Sequence, residues 1–353
     1  MLTRFGAFAD LSPADPATTR MILDADKLQI AEGMVFSHML NATLSRLRGF
    51  DDDARLLDVE SALATIENNR HAFVWPHLDG PGLGQYLDSL AAHFTTWLVR
   101  LGRDGFVARR RSPGTSSGDF LPVEDLLRDL TDRPPRDFRA NAVRDVERRQ
   151  CSWDYLVGAY GEECWRRVAL PRLFMNDCLQ PWSSGLADID RVIKLNRSIW
   201  TIETKLKSPI PIDPVLAFGL NDREINDACE LVRAGFNCLY LVAVKPLWSD
   251  RAGAPHLAGR QLHRDRTLVI GRVLDPDYIA HLLASERYLA GHHTALGGTR
   301  QVAYRRMFST DFVRFGHLDD HDGIAAAMLH LMQNGRGDRV ADCELRSLRI
   351  EEA

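Results

Sequence analysis

Asp190, Glu203 and Lys205 are the residues of this 353-residue chain whose types and spacing could do chemistry together. They lie in two extended runs, residues 186–195 and 198–207, separated only by Asn196-Arg197. A two-residue connection between such runs predicts a β-hairpin. Alternation along a strand places Asp188, Asp190, Val192 and Lys194 on one face of the first run. On the second run Glu203, Lys205 and Lys207 share a face, opposed by Trp200, Ile202, Thr204 and Leu206. A two-residue turn then sets Asp190 across from Glu203 and Asp188 across from Lys205.

Cross-strand neighbours stand about 4.5–5.5 Å apart at Cβ. Two carboxylates held there repel by about 3–4 kcal/mol at an effective dielectric near 20. A divalent cation offsets that repulsion directly, because magnesium takes oxygen ligands and is commonly held by one or two carboxylates with water and phosphate. The ordinary alternative is a solvated polar face on an antiparallel hairpin. Two acids on one strand, Glu-x-Lys on the next and strongly apolar opposite faces speak for the cation.

The elements that must position these residues can be read around them. Residues 152–170 predict a helix with Trp153, Leu156, Tyr160, Cys164 and Val168 along one face. After the hairpin, residues 222–234 suit a helix capped by Asn221 or Asp222 and closed by Gly235. Residues 236–244 form a continuous apolar run, as expected of a strand buried on both faces. A further strand over 267–274 and helices around 276–287 and 322–333 either extend this sheet or cover it. Upstream, apolar spacing predicts helices over 18–48, more weakly over 52–67, and again over 83–101. The segment 102–138 reads as a loop, with Arg109-Arg110-Arg111 followed by Ser112-Pro113-Gly114-Thr115-Ser116-Ser117-Gly118. The arginines could contact phosphates of a nucleic acid, although a solvated charge run is the ordinary reading. Asp132-Arg133-Pro134-Pro135 marks the expected boundary between an α-helical domain, 1–135, and an α/β domain, 136–353.

Asp190 followed by Glu203-Thr204-Lys205 on an adjoining strand resembles the PD-(D/E)XK nuclease superfamily. The run Ala187-Asp188-Ile189-Asp190-Arg191-Val192-Ile193 is similar to the corresponding strand of its Holliday-junction-resolvase-like members. The run Ile199 to Lys205 is similar to their Glu-x-Lys strand, and the order helix, hairpin, helix, strand agrees. The likeness spans roughly residues 150–245. The chain departs from the pattern in carrying Asp188 where such resolvases often have glutamate, and in lacking a proline before Asp190. The resemblance implies an α/β, restriction-endonuclease-like mixed sheet flanked by helices, and metal-dependent hydrolysis of DNA that leaves a 5′-phosphate. It implies Asp190 and Glu203 as ligands of Mg (or Mn), the Thr204 carbonyl as a further ligand, and Lys205 as the residue that orients the attacking water and steadies the transition state. A helical glutamate often joins such sites. Helical periodicity favours Glu163 for that place, and the family's Gly-Glu pattern favours Glu162. Lys207 and Asp188 are supporting candidates.

Composition sets the frame. Hydrophobic residues make up 45% and charged residues 26%, an ordinary globular balance. A net charge of −4 provides no global basic field, so any positive charge that meets a polyanion must be local. Lysine occurs only at positions 27, 194, 205, 207 and 245, which makes the cluster around Lys205 conspicuous. The six cysteines show no CxxC pair and no zinc-like spacing. No signal pattern opens the chain and no apolar run approaches a membrane span, so a cytoplasmic protein without a membrane partner is expected. No P-loop is present, and Gly82-x-Gly84 follows no predicted strand. His317-Leu318-Asp319-Asp320-His321-Asp322 raises an HD-type phosphohydrolase as a second alternative, against Asp320 or Asp322 acting as a helix cap. The first alternative is a non-catalytic nucleic-acid-binding or assembly module that has kept the nuclease fold. The leading expectation is a DNA endonuclease, in a restriction or defence setting, with DNA as partner and a homodimer as one assembly the reading allows.

Overall fold

The computed structural model describes residues 1–12, 15–26, 28–137, 146–249, 253, 259, 261–290 and 302–351. The chain is mixed α/β and divides into two units interleaved along the sequence, in place of one boundary near residue 135. The first comprises Met1–Asp26, Leu57–Asn141 and Leu156–Lys194; the second comprises Lys27–Leu56, Ala142–Tyr155 and Leu195–Ala353.

The first unit corrects the expectation of an α-helical N-terminal region. Its centre is a six-stranded mixed sheet in the order Thr115–Pro122, Gly105–Ser112, Thr95–Gly102, Asn69–Pro76, Val59–Ile66, Gly185–Asp188. Residues 55–66, weakly helical by apolar spacing, are strands. Val59–Ile66 pairs with Asn69–Pro76 through a turn at Glu67-Asn68, both left-handed at φ 45° and 65°. Such φ values suit the tight turns that match strand twist. Within 83–101 only Leu83–Ala91 is helical, and Thr95–Gly102 is a strand parallel to Asn69–Pro76. The expected loop over 102–138 is a hairpin of Gly105–Ser112 with Thr115–Pro122, followed by the helix Val123–Leu130. Pro113-Gly114 serves only the two-residue turn, with Gly114 at φ 77°. Phe106 and Phe174 lie 4.8 Å apart at the heart of this unit, with Trp75 at 5.2 Å from Phe106.

The expected helix over 152–170 is longer and irregular. Val146–Tyr160 is α-helical, Gly161 at φ 53° breaks it, and 3-10, π and α turns continue to Leu179. Trp153, Leu156, Cys164 and Val168 are buried as their spacing predicts.

The sheet that carries the Glu-x-Lys strand runs Val313–His317, Leu268–Val273, Asn237–Val244, Ser198–Lys207, Arg191–Leu195, Arg55–Leu57. The last two are the strands at which the chain passes between units. Ser198–Lys207 pairs in parallel with Asn237–Val244, and Leu268–Val273 extends the sheet antiparallel to the latter. The apolar run of Asn237–Val244 is buried on both faces, as expected for an interior strand. The helix Leu28–Phe50 packs on Ser198–Lys207 and on the helix His321–Asn334. A second, four-stranded sheet is unforeseen: Ile210–Ile212, Val215–Asn221, Val302–Phe308, Tyr288–Ala290. No helix among the described residues is long and apolar enough to cross a membrane.

Candidate active site

The turn Asn196-Arg197 forms as predicted, with Asn196 at φ 53°, a conformation asparagine tolerates. The run before it does not stay in one strand. Gly185–Asp188 belongs to the first unit's sheet, with Asp188 opposite Ala62. Ile189 is buried and donates its backbone N–H to the Ser61 carbonyl at 2.9 Å, and pairing resumes only at Arg191. Asp188 is therefore exposed in the first unit and does not face Lys205, which corrects its expected place. Asp190 stands in the two-residue break, half-buried, one position before Arg191–Leu195. It falls in the first unit, so its pairing with Glu203 belongs to the proposal below.

The second unit gathers the rest. Ser198–Lys207 and Asn237–Val244 pair in register, Glu203 with Tyr240, Lys205 with Val242 and Lys207 with Val244. Paired residues project to the same face. The opposite face of the strand is closed, with Trp200, Ile202 and Thr204 buried. Glu203 and Lys205 form an ion pair with side chains 31% and 28% exposed, so the charged face is open to solvent in part. Lys205 Nζ also lies 3.0 Å from Glu224 Oε1.

Glu224 was not singled out by sequence reasoning, and it sits where two devices meet. The helix Asp222–Arg233 begins with a reciprocal capping box: Asn221 accepts from the Glu224 backbone N–H at 2.8 Å, and Glu224 accepts from the Asn221 N–H at 3.2 Å. The pattern of Asn followed three residues later by Glu is legible in the sequence. That the same carboxylate reaches Lys205 is not. Burial works to raise the Glu224 carboxyl, but Lys205 and Lys207, helped by the hydrogen bonds from Lys205 and Asn221, outweigh it and hold it below the usual range.

Lys207 turns inward. Its ammonium donates to the Gly219 carbonyl and lies 5.5 Å from the centre of the Tyr240 ring. Burial holds the amine below the ordinary lysine range, against the pull of Glu224 and with further depression from Lys205. The Tyr240 hydroxyl is buried without a hydrogen-bond partner among the described residues. Burial first, then the charge of Glu224, pushes its phenol far above the usual value.

The other candidates fall elsewhere. Glu162 and Glu163 are both exposed on the 3-10 turn Gly161–Glu163 of the first unit. The helical-face argument between them fails because Gly161 interrupts the 100° progression. Among the described residues no group of three or more His, Cys, Asp or Glu is gathered to hold a metal. Two carboxylates with waters and phosphate suffice for magnesium. Arg109, Arg110 and Arg111 lie in a strand, not a loop. Arg109 stacks on Phe120 at 4.7 Å and Arg111 bonds Asp88 at 2.5 Å, while Arg110 is exposed. The His321 motif is built as a helix start. Asp320 accepts from the Gly323 N–H at 3.0 Å, and His321 Nδ1 shares a 3.0 Å hydrogen bond with Thr43. Asp322 lies exposed, 3.7 Å from Arg46.

Compared with protein-family models, with curated proteins and with solved structures, the chain finds no match.

Proposed function

We propose that this chain is a metal-dependent nuclease that hydrolyses phosphodiester bonds of DNA, on a core of the restriction-endonuclease-like kind. The observation that supports it most is the Glu203/Lys205 pair, side by side on a partly exposed face, with the Lys205 ammonium also held by Glu224. Glu203 and the Thr204 carbonyl, with Asp190 as the second carboxylate of the sequence reading, are oxygen donors and suit a hard cation such as magnesium or manganese. Such an ion, when bound, lowers the pKa of a bound water and neutralises charge on the scissile phosphate. Lys205 is a compact point charge with three donors. From its place beside Glu203 it orients the attacking water and offsets the charge that develops on the phosphoryl oxygens.

The test is cleavage of supercoiled plasmid with magnesium or manganese. Lys205→Ala should lower the rate by about 10²–10³-fold, the loss typical of one preorganised donor. Asp190→Ala and Glu203→Ala should do at least as much, and His321→Ala should leave the rate unchanged. DNA binding without cleavage by the wild type would favour the non-catalytic nucleic-acid module. Loss on His321→Ala alone would overturn the assignment of the site.

A further inference from the structure

Lys205 and Lys207 project from the same face of one strand, two residues apart, so their ammonium groups disfavour each other's charge. Glu203 alone cannot balance both, and in the reading above its carboxylate is also a cation ligand. A lysine held only by that ligand would lose its anchor when the carboxylate turned to a metal. The structure supplies a second anchor from a different element. Glu224 Oε1 lies 3.0 Å from Lys205 Nζ, and its carboxylate is fixed in place by the N–H of Asn221. The groups that bear on this cluster are Glu203 and Lys207 from the same strand, Glu224 from the helix Asp222–Arg233 and Tyr240 from the strand Asn237–Val244. Tyr240 brings a buried hydroxyl without a partner among the described residues, which marks the inner wall as desolvated and makes each charge there count for more.

We propose that Glu224 is the positioning residue of Lys205: the carboxylate at the third position of its helix holds the lysine charged and aimed while leaving Glu203 available to a cation. The proposal rests on the nuclease reading for its purpose, but its geometry can be tested without any cleavage. Glu224→Gln isolates the charge, because glutamine at this position still closes a capping box. The chain has only five lysines, so 13C-labelling at the lysine ε-carbon yields five signals, with Lys205 assigned by Lys205→Arg.

In Glu224→Gln the Lys205 titration midpoint should fall by about one pH unit, the scale of losing one close opposite charge. Thermal unfolding should stay within about 2 °C of wild type, since the cap survives. Where the wild type cleaves DNA, the basic limb of its rate profile should move down with that midpoint. An unmoved Lys205 midpoint in Glu224→Gln, with a fall in Glu203→Gln, overturns the proposal. Should Glu224→Gln not fold, Glu224→Asp keeps the acid but withdraws it by one methylene. A smaller fall is then expected, and no change overturns the idea. A shifted Lys205 in a protein that cleaves nothing would sink the nuclease reading and leave the Glu224 assignment standing.

Discussion

Lys207 shows how one side chain can record its surroundings as pH dependence. Burial holds its folded-state pKa below the unfolded value. Below that lowered value the folded protein carries the proton at a cost; the cost is relieved as pH rises through it and is gone at about 10.4, the ordinary lysine value. Lys207→Met lacks this term. Its stability relative to wild type should therefore fall between about pH 7 and about pH 10, read by urea unfolding at each pH. An unchanged difference would show that Lys207 is solvated. The Lys205 ion pairs are partly exposed and contribute little to stability by themselves. Their weight lies in where they hold the ammonium.

The element that matters most at the next scale is the helix Asp222–Arg233. Ile225, Ala228 and Leu231 bury one face, and Gly235 beyond its end takes φ 85°. Its first turn is fixed by Asn221. Asn221→Ala should cost about 1 kcal/mol, the usual loss for a side-chain cap, read as a lower urea midpoint at unchanged slope. Because the capping box is reciprocal, the same substitution also loosens the backbone that carries Glu224. A loss of cleavage larger than the loss of stability explains would mark the cap as part of the site's scaffold. The strand Ser198–Lys207 behaves differently. Its inner residues are buried on both faces up to Ile202, and only from Glu203 onward does polar alternation appear. The chemistry-bearing positions sit where the strand leaves the packed interior.

At the scale of the whole molecule the interleaving of the units has a direct consequence. The helix Leu28–Phe50 belongs to the second unit, where it packs on the Glu-x-Lys strand. It buries Ala31, Val35, Phe36, Leu40, Leu44 and Leu47 almost completely. At about 1.5–3 kcal/mol for each large apolar side chain, this helix contributes on the order of 10 kcal/mol, comparable with the whole stability of an ordinary domain. A chain cut to residues 136–353 should therefore not fold. It should bind a hydrophobic dye and show no cooperative melt, whereas adding back residues 27–56 should restore structure. A sharp melt from 136–353 alone would show that the helix is dispensable.

Local patterns carried far in this sequence, and they failed where distant segments decide the outcome. The helix start Asn221-x-x-Glu224, the turn Asn196-Arg197, the buried strand of residues 237–244 and the face shared by Glu203 and Lys205 all follow from short-range rules of capping, turn geometry and alternation. The strands of residues 55–122 were hidden because their apolar spacing suits a helix as well as a strand, and because Pro113-Gly114 and its serine neighbours read as loop when they serve one tight turn. The run of residues 186–195 looked continuous; only the pairing of Asp188 with Ala62 in another sheet divides it at Ile189 and Asp190. Glu224 reaching Lys205 likewise depends on a helix and a strand meeting across space. The sequence alone determined which residues could do chemistry and which of them share a strand face, since both depend on residue type and a two-residue period. The tertiary structure alone decided which sheet each segment joins and which partner each charge meets, because pairing and burial are set by contacts between distant parts of the chain.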